Sequence, residues 1–316
     1  MTNSLASQIQ PSLIERLVQS YHVAPEPLRD APTSAIPSAI EVRDILEDLR
    51  EVLFPGWTDG SGAVAKDLRA QMTSQIPHLA ARLERQIDLA CRCGVDPAAS
   101  SSNSNNHLFA PRVTQALLHE LPGLRAALIE DANAAMAGDP AARSLAEVLL
   151  CYPGHYAITA HRLAHILWKL DVPLLPRMIS ERAHRMTGID IHPGAVIGPA
   201  FFIDHGTGVV IGETAIIGAN VRMYQGVTLG ALSLPAHKVI QLRNGPKRHP
   251  TLEDEVIVYA AATILGGQTV IGKGSVIGGN CWIVQSVPAQ SRITIAINTA
   301  STHSHGTVKA DSSSGD

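Results

Sequence analysis

The sequence predicts an α+β chain of two domains, an all-helical N-terminal domain followed by a left-handed parallel β-helix. Helical periodicity runs through the first part of the chain and stops at Gly188. Beyond it, an aliphatic residue followed by a small or polar residue recurs every six positions, which is typical of a solenoid. Aromatic residues make up only 4 % of the 316 residues, as expected for a core of stacked aliphatic side chains.

Apolar residues at three- and four-residue spacing predict the helices of the first domain. They cover residues 38–54, 66–93, 108–136, 140–151, 154–170 and 174–187. A stretch rich in Ser and Asn, residues 98–106, predicts a loop or linker. Asp139 before Pro140 fits an N-cap followed by the first helical residue. We therefore assign residues 1–188 to the helical domain.

The six-residue repeats predict a β-helix over residues 189–295. Their inward-facing aliphatic residues are Ile197, Ile203, Ile211, Ile217, Met223, Leu229, Leu265, Ile271, Ile277 and Ile283. Each repeat is a short strand and a corner, and three of them, about eighteen residues, make one triangular coil. The step from Ile203 to Ile211 is eight, so this turn holds two extra residues. Residues 231–254 leave the repeat and predict a loop excursion, and residues 296–316 predict a disordered tail.

Composition excludes several classes of function. The net charge is −3 with acidic and basic residues mixed, so no nucleic-acid or membrane-surface partner is expected. No apolar run approaches the roughly 20 residues that span a bilayer, and the N-terminus lacks the pattern of a signal peptide. The four cysteines show neither a disulfide framework nor zinc-ligand spacing. We expect a cytoplasmic protein with reduced thiols.

The irregular turn after Ile203 holds the strongest chemical signal. His205 follows Asp204 beside the two-residue bulge, where a corner glycine is otherwise expected. A polar residue that departs from a repeat indicates a functional site. Histidine can both accept and donate a proton near neutral pH, and a carboxylate on its second nitrogen would fix its tautomer. Asp190 lies fifteen residues earlier, nearly one coil, so it can reach His205 from the adjacent coil.

Motifs around the repeats resemble those of the serine acetyltransferases, a family of hexapeptide-repeat acyltransferases. The motifs are DIHP at 190–193, IDHGTG at 203–208, IGETA at 211–215, QGVTLG at 225–230 and RHP at 248–250. The resemblance covers roughly residues 138–295. The repeats alone occur in acyltransferases for many acceptors, whereas DIHP together with DHGTG and GET is specific.

The resemblance implies transfer of the acetyl group of acetyl-CoA to the hydroxyl of L-serine, in the first step of cysteine biosynthesis. It implies that Asp190 and His205 form a catalytic dyad. The family's substrate-binding residues correspond to Asp139, Pro140, Asp204, Arg248 and His249. Arg248 suits the serine carboxylate as a bidentate partner, while Asp139 and Asp204 suit the ammonium group.

Acetyl-CoA is expected along the outer wall of the later coils, residues 258–286. Small residues there would let the pantetheine chain approach the backbone: Ala260, Ala261, Gly266 and Gly267. No metal is expected. His161 and His165 have the i, i+4 spacing of a chelating pair on a helix, but the sequence offers no third ligand.

The resemblance also implies a homotrimer or a dimer of trimers with active sites between subunits. Many family members bind cysteine synthase through a C-terminal isoleucine. This chain ends in Asp316, which argues against that complex.

Three alternatives stay open at this point. The acceptor could be homoserine or a sugar instead of serine. A trimeric zinc hydratase of the γ-carbonic-anhydrase type could use His192, His205 and His249. A scaffold without activity is the third alternative, although the intact set of polar residues argues against it.

Overall fold

The computed structural model describes residues 11–23, 36–57, 67–93, 107–232 and 246–295. Within these ranges the first part of the chain forms seven helices. They are α1 (Pro11–His22), α2 (Ala39–Leu53), α3 (Leu68–Arg92), α4 (Phe109–Gly138), α5 (Leu145–Cys151), α6 (Pro153–Lys169) and α7 (Leu175–Thr187). The loop predicted at 98–106 and the tail predicted at 296–316 lie outside the described residues.

Aliphatic side chains fill the core between these helices, as the composition predicts. Leu46 of α2, Ile87 of α3, Leu117 of α4 and Leu163 of α6 are all fully buried. Apolar burial of this kind is the main term that stabilises a helical domain. No helix in the described ranges has the length and apolar character needed to cross a membrane.

The start predicted for the helix at 140–151 is wrong. Asp139 is the C-cap of α4 instead of an N-cap, and Pro140 lies in the turn that follows. Helix α5 begins only at Leu145. The reason is Ser144, whose hydroxyl accepts a hydrogen bond from the backbone N–H of Glu147 at 3.1 Å and so supplies the N-cap.

Short parallel strands follow the last helix, which ends at Gly188 in the left-handed conformation. The described residues contain β1 (Asp190–Ile191), β2 (Val196–Ile197), β3 (Phe202–Ile203), β4 (Val210–Ile211), β5 (Ile216–Ile217), β6 (Arg222–Met223), β7 (Thr228–Gly230), β8 (Thr251–Leu252), β9 (Ile257–Val258), β10 (Thr263–Leu265), β11 (Val270–Ile271), β12 (Val276–Ile277), β13 (Trp282–Ile283) and β14 (Arg292–Ile293).

The strands form three parallel sheets, the faces of a triangular solenoid. The first sheet has the order β1-β4-β7-β10-β13, the second β2-β5-β8-β11 and the third β3-β6-β9-β12-β14. We call the corner where the chain passes from the third sheet to the first the third–first edge, which includes residues 204–209, 224–227 and 259–262. The first–second edge includes residues 192–195, 212–215 and 266–269, together with 246–250 at the end of the excursion.

Two details of the repeat differ from the prediction. The inward residue of β10 is Ile264, which is fully buried and pairs with Leu229, whereas Leu265 is only partly buried. The step from Ile264 to Ile271 is therefore seven positions instead of six. The extra residue is accommodated in the turn at Gly266, whose φ is +102°. The coil also resumes at Thr251, before the predicted end of the excursion at residue 254.

A buried ion pair joins the helical domain to the first coil. Arg162 of α6 donates from Nε and Nη2 to the two carboxylate oxygens of Asp131 on α4, at 2.7 and 2.8 Å. Arg162 also donates to the carbonyls of Ile197 and Gly198, and Asp131 accepts from the N–H of Phe201 at 2.9 Å. The Asp131 side chain is 0 % exposed, so this network fixes α4 and α6 against the solenoid.

Candidate functional site

The first coil contains two residues that the next coil lacks. Ile203 pairs with Met223, and Val210 pairs with Thr228, in register across parallel strands. In the first coil, Ile203 and Val210 are therefore seven positions apart. Their partners in the next coil, Met223 and Thr228, are only five positions apart. The stacking is undisturbed on both sides, so the extra residues project from the third–first edge.

The inserted residues are His205 and Gly206. Asp204 is still in register, because its N–H donates to the Met223 carbonyl at 2.8 Å. Thr207 is in register again, because its carbonyl accepts the N–H of Gly226 at 2.9 Å. His205 thus lies in the bulge itself, and not beside it in place of a corner glycine as predicted. Its side chain is 74 % exposed.

Both inserted residues have a positive φ. His205 has a φ of +57°, in the left-handed region that costs a non-glycine residue about 1 kcal/mol. Gly206 has a φ of +89°, and a Cβ there would lie 2.4 Å from Cδ1 of Ile189. Other corners of the solenoid also hold non-glycine residues in this region, among them Ala200, Asn220 and Glu255, so His205 is distinguished by its place in the insertion and not by its φ.

The carboxylate of Asp204 lies close to the ring of His205. Its Nδ1 lies 3.6 Å from Oδ1 of Asp204. Asp190 lies on the adjacent coil, as the spacing predicts, and its N–H donates to the carbonyl of Val209 at 2.8 Å. The carboxylate contact of the ring is nevertheless with Asp204, and no hydrogen bond joins His205 to Asp190 in the described part of this single chain.

Asp139 is a second carboxylate near His205, and it comes from the helical domain. The hydroxyl of Tyr152 donates to Oδ2 of Asp139 at 2.5 Å, and the N–H of Ala141 donates to Oδ1 at 2.8 Å. The bond from Tyr152, followed by the bond from Ala141 and the charge of His205, lowers the pKa of Asp139. The same carboxylate raises the pKa of Tyr152 to about 12.

The end of α4 brings Asp139 to this edge. Arg222 of β6 donates from Nη1 to the carbonyl of Gly138 at 3.1 Å, which satisfies a terminal helix carbonyl. A Cβ at Gly138 would lie 2.7 Å from Cδ1 of Phe202. Because residue 138 is a glycine, the end of α4 packs closely against β3. Asp139 follows Gly138 and Asp204 follows β3, so the two aspartates lie at the same edge.

Arg248 and His249 lie at the first–second edge. The Arg248 guanidinium pairs with the Glu213 carboxylate, and its backbone N–H donates to Oγ1 of Thr214 at 2.9 Å. Nδ1 of His249 accepts the N–H of Thr214 at 3.1 Å. Burial, with the positive charge of Arg248, lowers the pKa of His249 to about 4. A Cβ at Gly212 would lie 2.0 Å from the His249 ring, so Gly212 makes room for it.

The structure therefore divides the predicted acceptor-binding residues between two edges. Asp139, Pro140 and Asp204 lie with His205 at the third–first edge, whereas Arg248 and His249 lie at the first–second edge. The width of the first sheet separates the two groups within one chain.

The predicted cofactor residues are divided in the same way. Ala260 and Ala261 lie at the third–first edge, two coils beyond His205, and a Cβ at Gly226 would lie 3.4 Å from Cα of Ala261. Gly226, Ala260 and Ala261 are small, whereas Tyr224 and Tyr259 stack on each other at the same edge with ring centroids 5.0 Å apart. Gly266 and Gly267 lie at the other edge, where a Cβ at Gly267 would lie 2.0 Å from the carbonyl oxygen of Lys247.

No group of three His, Cys, Asp or Glu side chains in the described ranges converges as a metal site would require. The rings of His161 and His165 have centroids 5.7 Å apart. Nδ1 of His165 already contacts the carbonyl oxygen of Pro193 at 2.8 Å.

Known proteins are similar to this chain in both sequence and fold. No protein-family model matches the sequence. A plasmid-encoded serine acetyltransferase of Synechococcus elongatus is 48 % identical over 265 residues, which cover 83 % of this chain and 82 % of that protein. The chain belongs to the serine acetyltransferase family.

Solved structures of serine acetyltransferases are also similar to this chain. Serine acetyltransferase isoform 3 of Entamoeba histolytica in complex with cysteine is 34 % identical, with a TM-score of 0.68 over 90 % of both chains. The Neisseria gonorrhoeae enzyme in complex with serine is 26 % identical, with a TM-score of 0.53 over 80 % of this chain and 95 % of that one. The predicted fold, a helical domain followed by a left-handed parallel β-helix, is confirmed.

Family membership also confirms the predicted function, acetyl transfer to serine in cysteine biosynthesis. It leaves the acceptors homoserine and sugar, the zinc hydratase and the inactive scaffold without support.

Sequence reasoning missed contacts that hold the candidate site residues in place. The contact of Tyr152 with Asp139 is the main one, because it crosses a turn and a helix that no periodic pattern connects. The role of Lys247 was also missed. Its Nζ donates to the carbonyls of Thr214 and His249 at 2.9 and 2.6 Å and so closes the end of the excursion. The run from Lys247 to Pro250 stands out in the sequence, but these bonds do not.

Proposed function

We propose that His205 is the general base that takes the hydroxyl proton of L-serine as the oxygen attacks the thioester of acetyl-CoA. The observation that carries the proposal is the position of His205. It is an exposed imidazole on a two-residue insertion, with the carboxylate of Asp204 3.6 Å from its Nδ1 and that of Asp139 near enough to feel its charge. Acetyl-CoA and L-serine are the substrates, and O-acetyl-L-serine and CoA are the products.

The protonated His205 then serves as the acid for the departing thiolate of CoA, because one imidazole performs both proton steps. Asp190 is proposed as the residue that orients its second nitrogen and stabilises the imidazolium. The present contact of Nδ1 is with Asp204, so the dyad forms by rotation of the exposed ring.

Binding of serine requires one group of residues that receives its ammonium group and another that receives its carboxylate, with the hydroxyl left facing the base. Asp139 and Asp204 are proposed for the ammonium group, with Pro140 shaping the turn beside them. Arg248 is proposed for the carboxylate, assisted by His249. Glu213 already pairs with the Arg248 guanidinium, so the substrate carboxylate would share this group.

These two sites lie at different edges of one chain, so a complete serine site combines the third–first edge of one subunit with the first–second edge of the next. A trimer in which three triangular solenoids pack side by side about a three-fold axis contains this combined site three times. We propose a trimer or a dimer of trimers as the working form on this ground.

For acetyl-CoA we propose a path along the third–first edge, past Gly226 to Ala260 and Ala261. Small side chains there let an extended pantetheine chain lie close to the backbone. Gly266 and Gly267 pack beneath the excursion, so their role is structural.

Cysteine is proposed as a competitor for the serine site. It carries the same ammonium and carboxylate groups, and the structure of the Entamoeba histolytica isoform contains it. Cysteine should therefore raise the apparent KM for serine without changing kcat.

The reaction is tested by following thiol release from acetyl-CoA with L-serine, L-homoserine and a panel of sugars. His205→Ala should lower kcat about 10²- to 10⁴-fold, the contribution of a general base. His184→Ala, which removes a partly exposed histidine of α7, is the matched control and should retain activity. No turnover with serine would refute the substrate, and full activity of His205→Ala would refute the base.

A further inference from the structure

We propose that Tyr152 is a positioning residue for the acceptor, which holds the Asp139 carboxylate in the orientation that receives the serine ammonium group. The inference rests on the proposed function, in which Asp139 binds that group. It concerns a residue outside every motif that the sequence brought to attention.

The Asp139 carboxylate is held at both oxygens. Tyr152 donates to Oδ2 at 2.5 Å and Ala141 donates to Oδ1 at 2.8 Å. A carboxylate has about four lone-pair positions, so two remain for the substrate. Rotation of the side chain would break both bonds, and Asp139 therefore keeps one orientation before serine arrives.

Tyr152 is itself fixed at the junction of two helices. Its N–H donates to the carbonyl of Val148 at 3.2 Å and ends α5, and its carbonyl accepts the N–H of Tyr156 at 3.2 Å and begins α6. Gly154, two residues later, lies against the backbone of Ile203. The residue after Ile203 is Asp204, so the phenol is held relative to the edge that carries His205.

The phenol acts as a hydrogen-bond donor and not as a base. The Asp139 carboxylate, with smaller contributions from Glu147 and Asp204, raises the pKa of Tyr152 to about 12. The hydroxyl therefore stays protonated at neutral pH. Its single hydrogen is donated to Asp139, which leaves the Asp204 carboxylate for the substrate.

The test compares Tyr152→Phe with Tyr156→Phe. Tyr156 lies one turn further along α6, and its hydroxyl donates to Glu47 at 2.8 Å, so both variants remove one phenol–carboxylate bond. Tyr152→Phe should raise the KM for serine about tenfold or more, as expected when a charged group loses one hydrogen bond. Its kcat and its KM for acetyl-CoA should change less than about threefold, and Tyr156→Phe should leave all three constants unchanged.

Two dead-end inhibitors separate positioning from a general loss of structure. L-Alanine carries the ammonium group and L-lactate has a hydroxyl in its place. Tyr152→Phe should raise the inhibition constant of alanine by the same factor as the KM for serine and leave that of lactate unchanged. Equal losses for both inhibitors would overturn the proposal.

A double variant tests whether Tyr152 acts through Asp139. In an Asp139→Asn background, Tyr152→Phe should add less than about a twofold change, because the residue acts through Asp139. Additive effects would contradict this. Failure of the wild-type chain to acetylate serine would instead refute the proposed function, so the two failures are distinguishable.

Discussion

Gly154 and Ile203 are in direct backbone contact, and a Cβ added to Gly154 would lie 2.3 Å from the carbonyl oxygen of Ile203. The first turn of α6 therefore rests on β3. Tyr152 precedes this contact by two residues and Asp204 follows it by one. This contact fixes how close the helical domain lies to the third–first edge.

Gly154→Ala should lower the free energy of unfolding by about 1 to 3 kcal/mol, because the methyl group meets backbone that cannot move aside. It should also raise the KM for serine by displacing Tyr152. Gly123→Ala in α4 is the control, since nothing lies within 4 Å of the added Cβ, and it should stabilise by about 0.5 to 1 kcal/mol. Urea unfolding measures both. An unchanged midpoint for Gly154→Ala would show that the contact is not tight.

Asp131→Asn should destabilise the chain by about 3 to 5 kcal/mol, because it leaves the buried charge of Arg162 without its counter-ion. The exposed pair of Arg43 and Asp44 provides the comparison, and Asp44→Asn should cost less than about 1 kcal/mol. Thermal unfolding in parallel distinguishes the two. Similar losses would mean that burial does not strengthen the Asp131 pair.

Stability should fall as the pH is lowered from about 6.5 towards 4. The pKa of His249 is about 4 in the folded chain and near 6.5 when unfolded, so in this window the unfolded state binds more protons. Protonation at Nδ1 would also remove the acceptor of the Thr214 N–H. Urea unfolding from pH 4 to 8 should show the decline, and His249→Gln should flatten part of it. An identical pH dependence in the variant would exclude His249 as a contributor.

Ala260→Leu should raise the KM for acetyl-CoA about tenfold or more, with little change in the KM for serine, if pantetheine follows the third–first edge. The control is Ala289→Leu, an exposed alanine at a different corner of the last coil. Initial-rate kinetics with each substrate varied measure the effect. Equal acetyl-CoA constants in the two variants would place the cofactor elsewhere.

The solenoid could be predicted from the sequence because its rule is local. An inward aliphatic residue and a small corner residue at a fixed period are enough to identify the coils. The error at Leu265 has the same origin. Ile264 and Leu265 both fit the rule, and only the stacking of Ile264 beneath Leu229, a contact across 35 residues, decides between them.

The site was harder to predict, because its parts come together over long distances. His205 and the RHP corner are visible as departures from the repeat. The bond between Tyr152 and Asp139 depends on where α4 ends, and the sequence suggested that Asp139 begins a helix instead. That end is fixed by the packing of Gly138 on Phe202 and by the bond from Arg222 to the Gly138 carbonyl, contacts between residues far apart in the sequence, so the sequence did not show that the Asp139 carboxylate meets Tyr152.

The insertion at His205 and Gly206 has an evolutionary consequence. Strands on either side of it pair as they do in the coil that lacks it, so deleting the two residues would leave an ordinary coil. Gain or loss of the imidazole proposed as the base is therefore a short insertion or deletion at a corner, with no change to the hydrophobic stack. In such a chain, selection for catalysis and selection for folding act on different residues, and the same solenoid can acquire or abandon an activity without being rebuilt.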